Sequence, residues 1–270
     1  DWRRHHVELL IGELNDTIKK IKPWVRFGIS PFGIHRNKKD TPDGSGSNTN
    51  GLSNYDELFA DVPKWAKSGM IDYYVPQLYW EIGHPRADYE TLIEWWNQQD
   101  GRGQLYIGQS IGTMKKQIKH KIDLSRKLKN VEGNVWWPGW SLVANSGKVA
   151  DSLRLKYQKE PAFVPAYGSL DDIAPAAIEQ IAKNGRVIEW MQSEEDTADP
   201  LQKALFYAVY CFPNGAKVDT DNTKYLLKIT PESSFNVIEE NPAHAAGCRY
   251  IITVIDRCWN ESAASKELWY

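Results

Sequence analysis

Four times within the first 160 or so residues an apolar, strand-like run gives way to a helix-like one. Most of these runs end in a polar or aromatic cluster: Ser30-Pro31-Phe32-Gly33, Gln77-Leu78-Tyr79-Trp80, Gln109-Ser110, and Trp136-Trp137-Pro138-Gly139-Trp140. Strands that alternate with helices pair in parallel, because a parallel neighbour is reached only through a crossover and the helix supplies it. Chemistry in such folds gathers at the carboxyl-terminal strand ends, which is where these clusters fall. The beat counts to four, and a closed (β/α)8 barrel needs eight.

Val7, Leu10, Ile11, Leu14, Ile18 and Ile21 recur at three- and four-residue steps, which predicts a first helix over 1–21 with Asp1 as its N-cap. Pro23 ends it, and Trp24–Ile29 reads as the first strand. A Gly/Ser/Asn/Asp-rich stretch over 37–54 is a long loop, a length usually functional or mobile inside a compact domain. Further helices are predicted over 55–67, 88–98, 114–128 and 149–157, and further strands over 71–78, 105–109 and 131–137. Gly69 closes the second helix. A proline-spaced passage over 161–175 reads as a linker.

Beyond it the rhythm changes. Short strand candidates over 186–191, 204–212, 224–228, 234–238, 249–256 and 267–270 follow one another across turn residues with no helix between them. That spacing predicts an antiparallel sandwich. The expected organisation is therefore an α/β domain over 1–160, a linker over 161–175 and an all-β domain over 176–270.

A net charge of -2 gives no electrostatic attraction to nucleic acid or membrane, and no apolar run reaches the roughly 18 residues that span a bilayer. The chain opens on Asp1-Trp2-Arg3-Arg4 without Met, as a processed or excised piece would. Cys211, Cys248 and Cys258 are odd in number and have no metal-like spacing, so neither a disulfide framework, a metal site nor a cofactor is expected. The outlier is aromatic content: of 12 Trp, nine precede residue 141.

Gln77 and Gln109 are amides at the same end of otherwise apolar strands, where each must find a partner inside the protein or bind a ligand. Tyr79, Trp80, Trp136, Trp137 and Trp140 gather at those ends, and flat aromatic faces beside amides suit sugar rings. At least two of these five are expected to pack into the core. His35, Arg36 and Asn37 open the long loop, where they face either solvent or a hydroxylated or anionic ligand.

Glycoside hydrolysis usually takes two carboxyl groups flanking the scissile bond. Glu81 alone adjoins a strand's carboxyl end; Asp72 lies at the wrong end of its strand, and Asp40 and Asp43 sit in the loop. No convincing catalytic pair emerges.

The strings Phe27–Asn37 (FGISPFGIHRN), Gly51–Trp80 (GLSNYDELFADVPKWAKSGMIDYYVPQLYW) and Tyr106–Ser110 (YIGQS) resemble the glycosyl-hydrolase-like family ten, almost continuously from Asp1 to about Pro165. The resemblance implies a bacterial envelope protein, lipoproteins included, with a TIM barrel that in some members cuts peptidoglycan glycan strands stripped of their peptides. His35 stands where members typically carry Trp. In the family, the helix matching 1–21 follows the fourth barrel strand, which ends in an Asp-Asp-Tyr cluster at the active centre. The four βα units here thus correspond to the C-terminal half of a TIM (β/α)8 barrel, and the main catalytic acids to the other half.

Residues from about Pro175 onward are similar to a fibronectin type III module. The similarity rests on Tyr207–Tyr210 leading into the 212–215 turn, and on Tyr250–Arg257 preceding Trp259-Asn260-Glu261-Ser262. What the resemblances imply is a glycoside hydrolase of cell-wall or related polysaccharide, inactive as this piece alone and located in the envelope, periplasm or outside the cell. Its expected sugar contacts are Arg36, Asn37, Gln77, Tyr79, Trp80, Gln109, Trp137 and Trp140, with Glu81 the one weak catalytic candidate. The alternative is a non-catalytic glycan-binding protein. An isolated half-barrel also exposes two strand edges and an apolar face, so two copies are expected to pair unless the piece is part of a longer chain.

Overall fold

The computed structural model describes residues 1–99, 101–114, 116–192, 199–241 and 247–270. They form two compact units, Asp1–Lys159 and Glu160–Tyr270.

The first unit opens with helix α1 (Trp2–Ile21) and continues through β1 (Gly28–Ile29), α2 (Val62–Ser68), β2 (Tyr73–Tyr74), α3 (Tyr89–Asn97), β3 (Gln104–Ser110), α4 (Ile111–Met114), α5 (Ile118–Lys127), β4 (Val131–Trp137), α6 (Gly139–Val143) and α7 (Val149–Ser152). The strands pair in parallel in the order β1-β2-β3-β4. Pro31 and Pro76 lack the N–H that a continuous ladder needs, which shortens β1 and β2. Pairing nevertheless resumes beyond them, through the Gln77 N–H to Pro31 carbonyl bond (3.0 Å) and parallel bridges of Gln77 to Phe32 and Gly108.

The two sheet faces differ. Tyr74, Leu78, Leu105 and Ile107 turn toward the helices and are buried with Val62, Trp65 and Ala66 of α2 and with Leu92, Ile93 and Trp96 of α3. On the other face the Tyr73 ring lies over Gly28 and the Tyr106 ring packs against Gly133, positions where a Cβ would meet those rings. Val135 and Trp137, at the far end of that face, are exposed. The apolar stripe of α1 divides similarly: Ile11 is buried, whereas Leu10, Leu14 and Ile21 are exposed.

The second helix is shorter than its periodicity predicts. Residues 54–57 form a turn instead, anchored by Asn54, whose side chain bonds the backbone of Phe32 and Ile34. The helix starts at Val62, with Pro63 in its first turn, and Gly69 ends it in the left-handed conformation (φ 77°). Nor is the 37–54 loop a loose one. Asn37, Ser47 and Thr49 are buried and bonded to each other or to loop backbone, and Trp95 and Trp96 donate their indole N–H groups to Ser45 and Gly33 carbonyls, each at 2.7 Å.

The second unit comprises β5 (Ile178–Asn184), β6 (Val187–Gln192), β7 (Phe206–Pro213), β8 (Leu226–Thr230), β9 (Ser234–Asn236), α8 (Val237–Glu240), β10 (Cys248–Ile255) and β11 (Leu268–Trp269). Two antiparallel sheets, β11-β10-β7-β8 and β5-β6-β9, share a core built from Val209, Tyr250, Ile252 and Val254 of one and Ile188, Trp190 and Phe235 of the other. The strand β5 has no counterpart in the sequence reading. The passage 161–175 is not a bare spacer either, since Phe163 packs into this unit's second core and Tyr167 is buried with its N–H on the Cys258 carbonyl. Cys211 and Cys248 form a disulfide between β7 and β10, with Cα atoms 5.7 Å apart. This corrects the expectation of no disulfide: pairing follows from strand register, which cysteine spacing does not encode.

Candidate functional site

The carboxyl-terminal ends of β1–β4 place several of the predicted residues on one face. Strand register puts Phe32, Gln77, Gly108 and Val135 in one row across the sheet, and Ser110 and Trp137 in the next. Gln77 is half-buried; its side-chain amide donates to the Ser30 carbonyl at 3.0 Å, and the Ser30 hydroxyl donates to the Val75 carbonyl. Beyond Gln77, Trp80 sits edge-on to Phe32, ring centroids 6.1 Å apart. The Trp80 ring lies so close over Gly33 that a Cβ there would come within 2.5 Å of it and 2.6 Å of the Gln77 carbonyl. Tyr79 is half-buried, and burial pushes its hydroxyl pKa up. Trp137 (59% exposed) and Trp140 (69%), the latter on α6, present their rings to solvent. Trp136 points the other way and packs on the Ile111, Ile118, Ile122 cluster. Of the five aromatics, Trp80 and Trp136 therefore lie against core.

Gln109 is a correction. Its face of β3 is the helix-facing one, opposite Gln77, and the side chain is fully buried. Its amide nitrogen donates to the Tyr89 hydroxyl at 2.6 Å and to the Asn134 side-chain oxygen at 2.8 Å. A buried parallel strand is apolar on both faces, so alternation did not reveal which side the amide took. Arg36 and Asn37 are corrected likewise. The Arg36 guanidinium grips Asp56 through two bonds (2.8 and 3.0 Å) and the Asp40 carbonyl (2.8 Å). Asn37 is buried and spends its amide on Asp40, Gly51 and Thr49. Both residues build the loop.

Next to them, His35 stacks on Trp95 with centroids 5.3 Å apart. Burial, then the Arg36 charge, push its imidazole pKa down to about 4. Asp61 stands 3.9 Å from Nε2, too far for a hydrogen bond, and its own carboxyl is pushed up by burial.

The acids near these strand ends are mostly engaged. Asp40 and Asp56 serve the loop, and Asp88 caps α3. Asp72, at the opposite end, takes the Lys19 ammonium (2.5 Å) and the Phe27 N–H (2.6 Å). Glu81 is exposed, with the buried Lys121 ammonium as a favourable charge nearby. Among the described residues no three His, Cys, Asp or Glu side chains gather as a metal site requires.

Sequence reasoning missed the polar set beneath the rim. Lys121 is fully buried on α5; its ammonium donates to the Trp80 carbonyl at 2.6 Å and lies 4.2 Å from the Tyr89 ring centre. Its legible signal is a lysine on the same stripe as Ile118, Ile122 and Ser125.

The first unit resembles glycosyl hydrolases in sequence. Residues 1–126 match the family described as Glycosyl hydrolase-like 10. Glycosyl hydrolase YngK of Bacillus subtilis (strain 168) is 34% identical over 288 residues, covering 98% of this chain and 54% of that protein. Glycosyl hydrolase DigH of Escherichia coli (strain K12) is 36% identical over 152 residues, covering 50% of this chain and 34% of that protein. DigH of Shigella flexneri matches to the same extent. The chain spans about half the length of the Bacillus relative and about a third of the others. Over residues 1–126, the chain is thus similar to the glycosyl hydrolase-like 10 family.

Proposed function

We propose that this chain carries the C-terminal half of a (β/α)8 glycoside hydrolase domain acting on bacterial cell-wall or related polysaccharide, followed by a fibronectin type III-like accessory module. The observation that carries the reading is the aromatic rim: Phe32, Trp80, Trp137 and Trp140 beside Gln77 and Tyr79, at the strand ends where parallel α/β folds bind ligands. Three features support the half-barrel. Among the described residues there are four parallel strands and Val135 and Trp137 are exposed on one face, and the chain aligns with about half of the Bacillus relative. In this reading the principal acids belong to a longer protein, Glu81 is at most an auxiliary acid, and the free edges of β1 and β4 meet either that remainder or a second copy. The Cys211–Cys248 disulfide favours an oxidising compartment, the envelope or the outside of the cell.

A non-catalytic glycan-binding protein is the second reading, favoured by the engagement of Asp40, Asp56 and Asp88 in internal bonds. The two are separated by assaying peptide-free glycan strands for cleavage and binding, with a full-length protein and with this 270-residue chain. Cleavage by the full-length protein alone supports the hydrolase; binding without turnover by either supports the second reading. Trp137→Ala and Trp140→Ala are each expected to weaken binding about tenfold, or roughly 1.4 kcal/mol, with thermal stability nearly unchanged because both rings are exposed. Undiminished binding in both variants removes the rim from the site.

A further inference from the structure

We infer that Gln117 and Lys121, one turn apart at the start of α5, are positioning residues that fix the Trp80 wall of the rim. This rests on the carbohydrate reading above for its consequence, though not for its geometry. The segment after β2 leaves the sheet at Leu78 and reaches α3 at Tyr89, so Trp80 sits on a connection with few ladder bonds of its own. Helix α5 reaches across from the following βα unit to hold it. Gln117 grips Ile82 on both backbone groups: its side-chain oxygen accepts from the Ile82 N–H at 2.8 Å and its amide donates to the Ile82 carbonyl at 3.2 Å. Lys121 holds the Trp80 carbonyl at 2.6 Å. From the other side, Gly33, with no Cβ, lets the edge of the Trp80 ring approach the segment beyond β1 closely. The connection is thus gripped at Trp80 and at Ile82, leaving Glu81 between the two.

The lysine is an expensive choice for packing alone. It is fully buried, and loss of solvation lowers its ammonium pKa to about 8, with the nearby Glu81 charge opposing that fall. A methionine of similar volume would fill the space without that penalty. What methionine lacks is a donor for the Trp80 carbonyl. The ammonium is further steadied by the Tyr89 ring, whose hydroxyl is fixed by Gln109, which in turn bonds Asn134 of β4. One contact chain therefore links β4, β3, α3 and α5 to the backbone of a rim residue.

The test pairs amide hydrogen exchange with a binding cycle on the 270-residue chain. In Lys121→Met and in Gln117→Ala, amides over 79–83 are expected to exchange about tenfold or more faster, while 105–109 and 131–137 keep their protection. Affinity for peptide-free glycan strands is expected to fall about threefold to tenfold in each, and by less than twofold when the same change is made in a Trp80→Ala background. Unchanged exchange over 79–83 in both variants overturns the inference, as does an affinity loss that persists without Trp80. If Lys121→Met does not fold, Gln117→Ala carries the test. If the unaltered chain binds no strands, the binding cycle is run on the full-length protein, where no binding there either overturns the carbohydrate reading, and exchange over 79–83 still decides whether the clamp exists.

Discussion

His35 illustrates how a single side chain can couple the loop to pH. Its ring lies between Trp95, Trp96 and Tyr55, Nδ1 has no hydrogen-bond partner, and Arg36 and Arg4 add positive charge nearby. Protonation would bury a cation among aromatic rings without an acceptor for its new N–H. The pKa therefore falls from about 6.5 when unfolded to about 4 in the fold. Between those values the unfolded chain binds the extra proton, so stability rises with pH; the contribution is complete above about 6.5 and is lost as pH falls toward 4. The shift corresponds to roughly 3 kcal/mol across the window. Urea titrations of the first unit from pH 7.5 to 4.5 should show this slope, and His35→Phe should remove that part of it. An equal slope in the variant would mean that the carboxylates alone set the acid sensitivity.

Among the elements, α3 shows how local chemistry and tertiary contact coincide. Asp88, its N-cap, accepts from the Thr91 N–H (2.8 Å) and hydroxyl (2.9 Å), and its other oxygen accepts from the Gly83 N–H at 2.6 Å. One carboxylate thus starts the helix and ties down the connection that carries Trp80. Asp88→Ala is expected to destabilise the first unit by about 1–2 kcal/mol in thermal or urea unfolding, and Asp88→Asn by clearly less. Equal losses would show that the cap's acceptor geometry is not what matters. This helix was legible in the sequence because Tyr89, Leu92, Ile93 and Trp96 form one stripe behind a capping residue. The strands β3 and β4 were legible as apolar runs. What stayed hidden was decided by partners distant in sequence. Leu58 and Phe59 extend the helical stripe of Val62 and Trp65, but Asn54 bonds the backbone of Phe32 and Ile34, and the helix begins only at Val62. Arg36 and Asn37 resemble ligand-binding side chains until Asp56 and Gly51 are seen to claim them. Lys121 looks like one more charge on a basic helix, and only the Trp80 carbonyl gives it a function.

At the scale of the whole molecule, each unit holds its own cores: one around Trp65, Leu78 and Trp96, the other around Val209, Tyr250 and Ile252. Only the second contains the disulfide, which joins β7 to β10, the two central strands of the larger sheet. The bridge closes a loop of 37 residues, and cross-linking a loop of that length lowers the entropy of the unfolded chain by the equivalent of roughly 3–4 kcal/mol. For a unit of this size such a loss moves the melting point by on the order of 10 °C or more. Separate cores predict separate responses. Calorimetry of the oxidised chain should resolve two transitions, of which reductant, or Cys211→Ala with Cys248→Ala, lowers one and leaves the other in place. The transition that moves should be the one followed by Trp190 and Trp259, and His35→Phe should alter the acid dependence of the one that does not. If reduction lowers both transitions together, the units fold as one cooperative body. If it lowers neither, the ladder between β7 and β10 suffices to hold the second unit, and the disulfide's contribution lies elsewhere than in equilibrium stability.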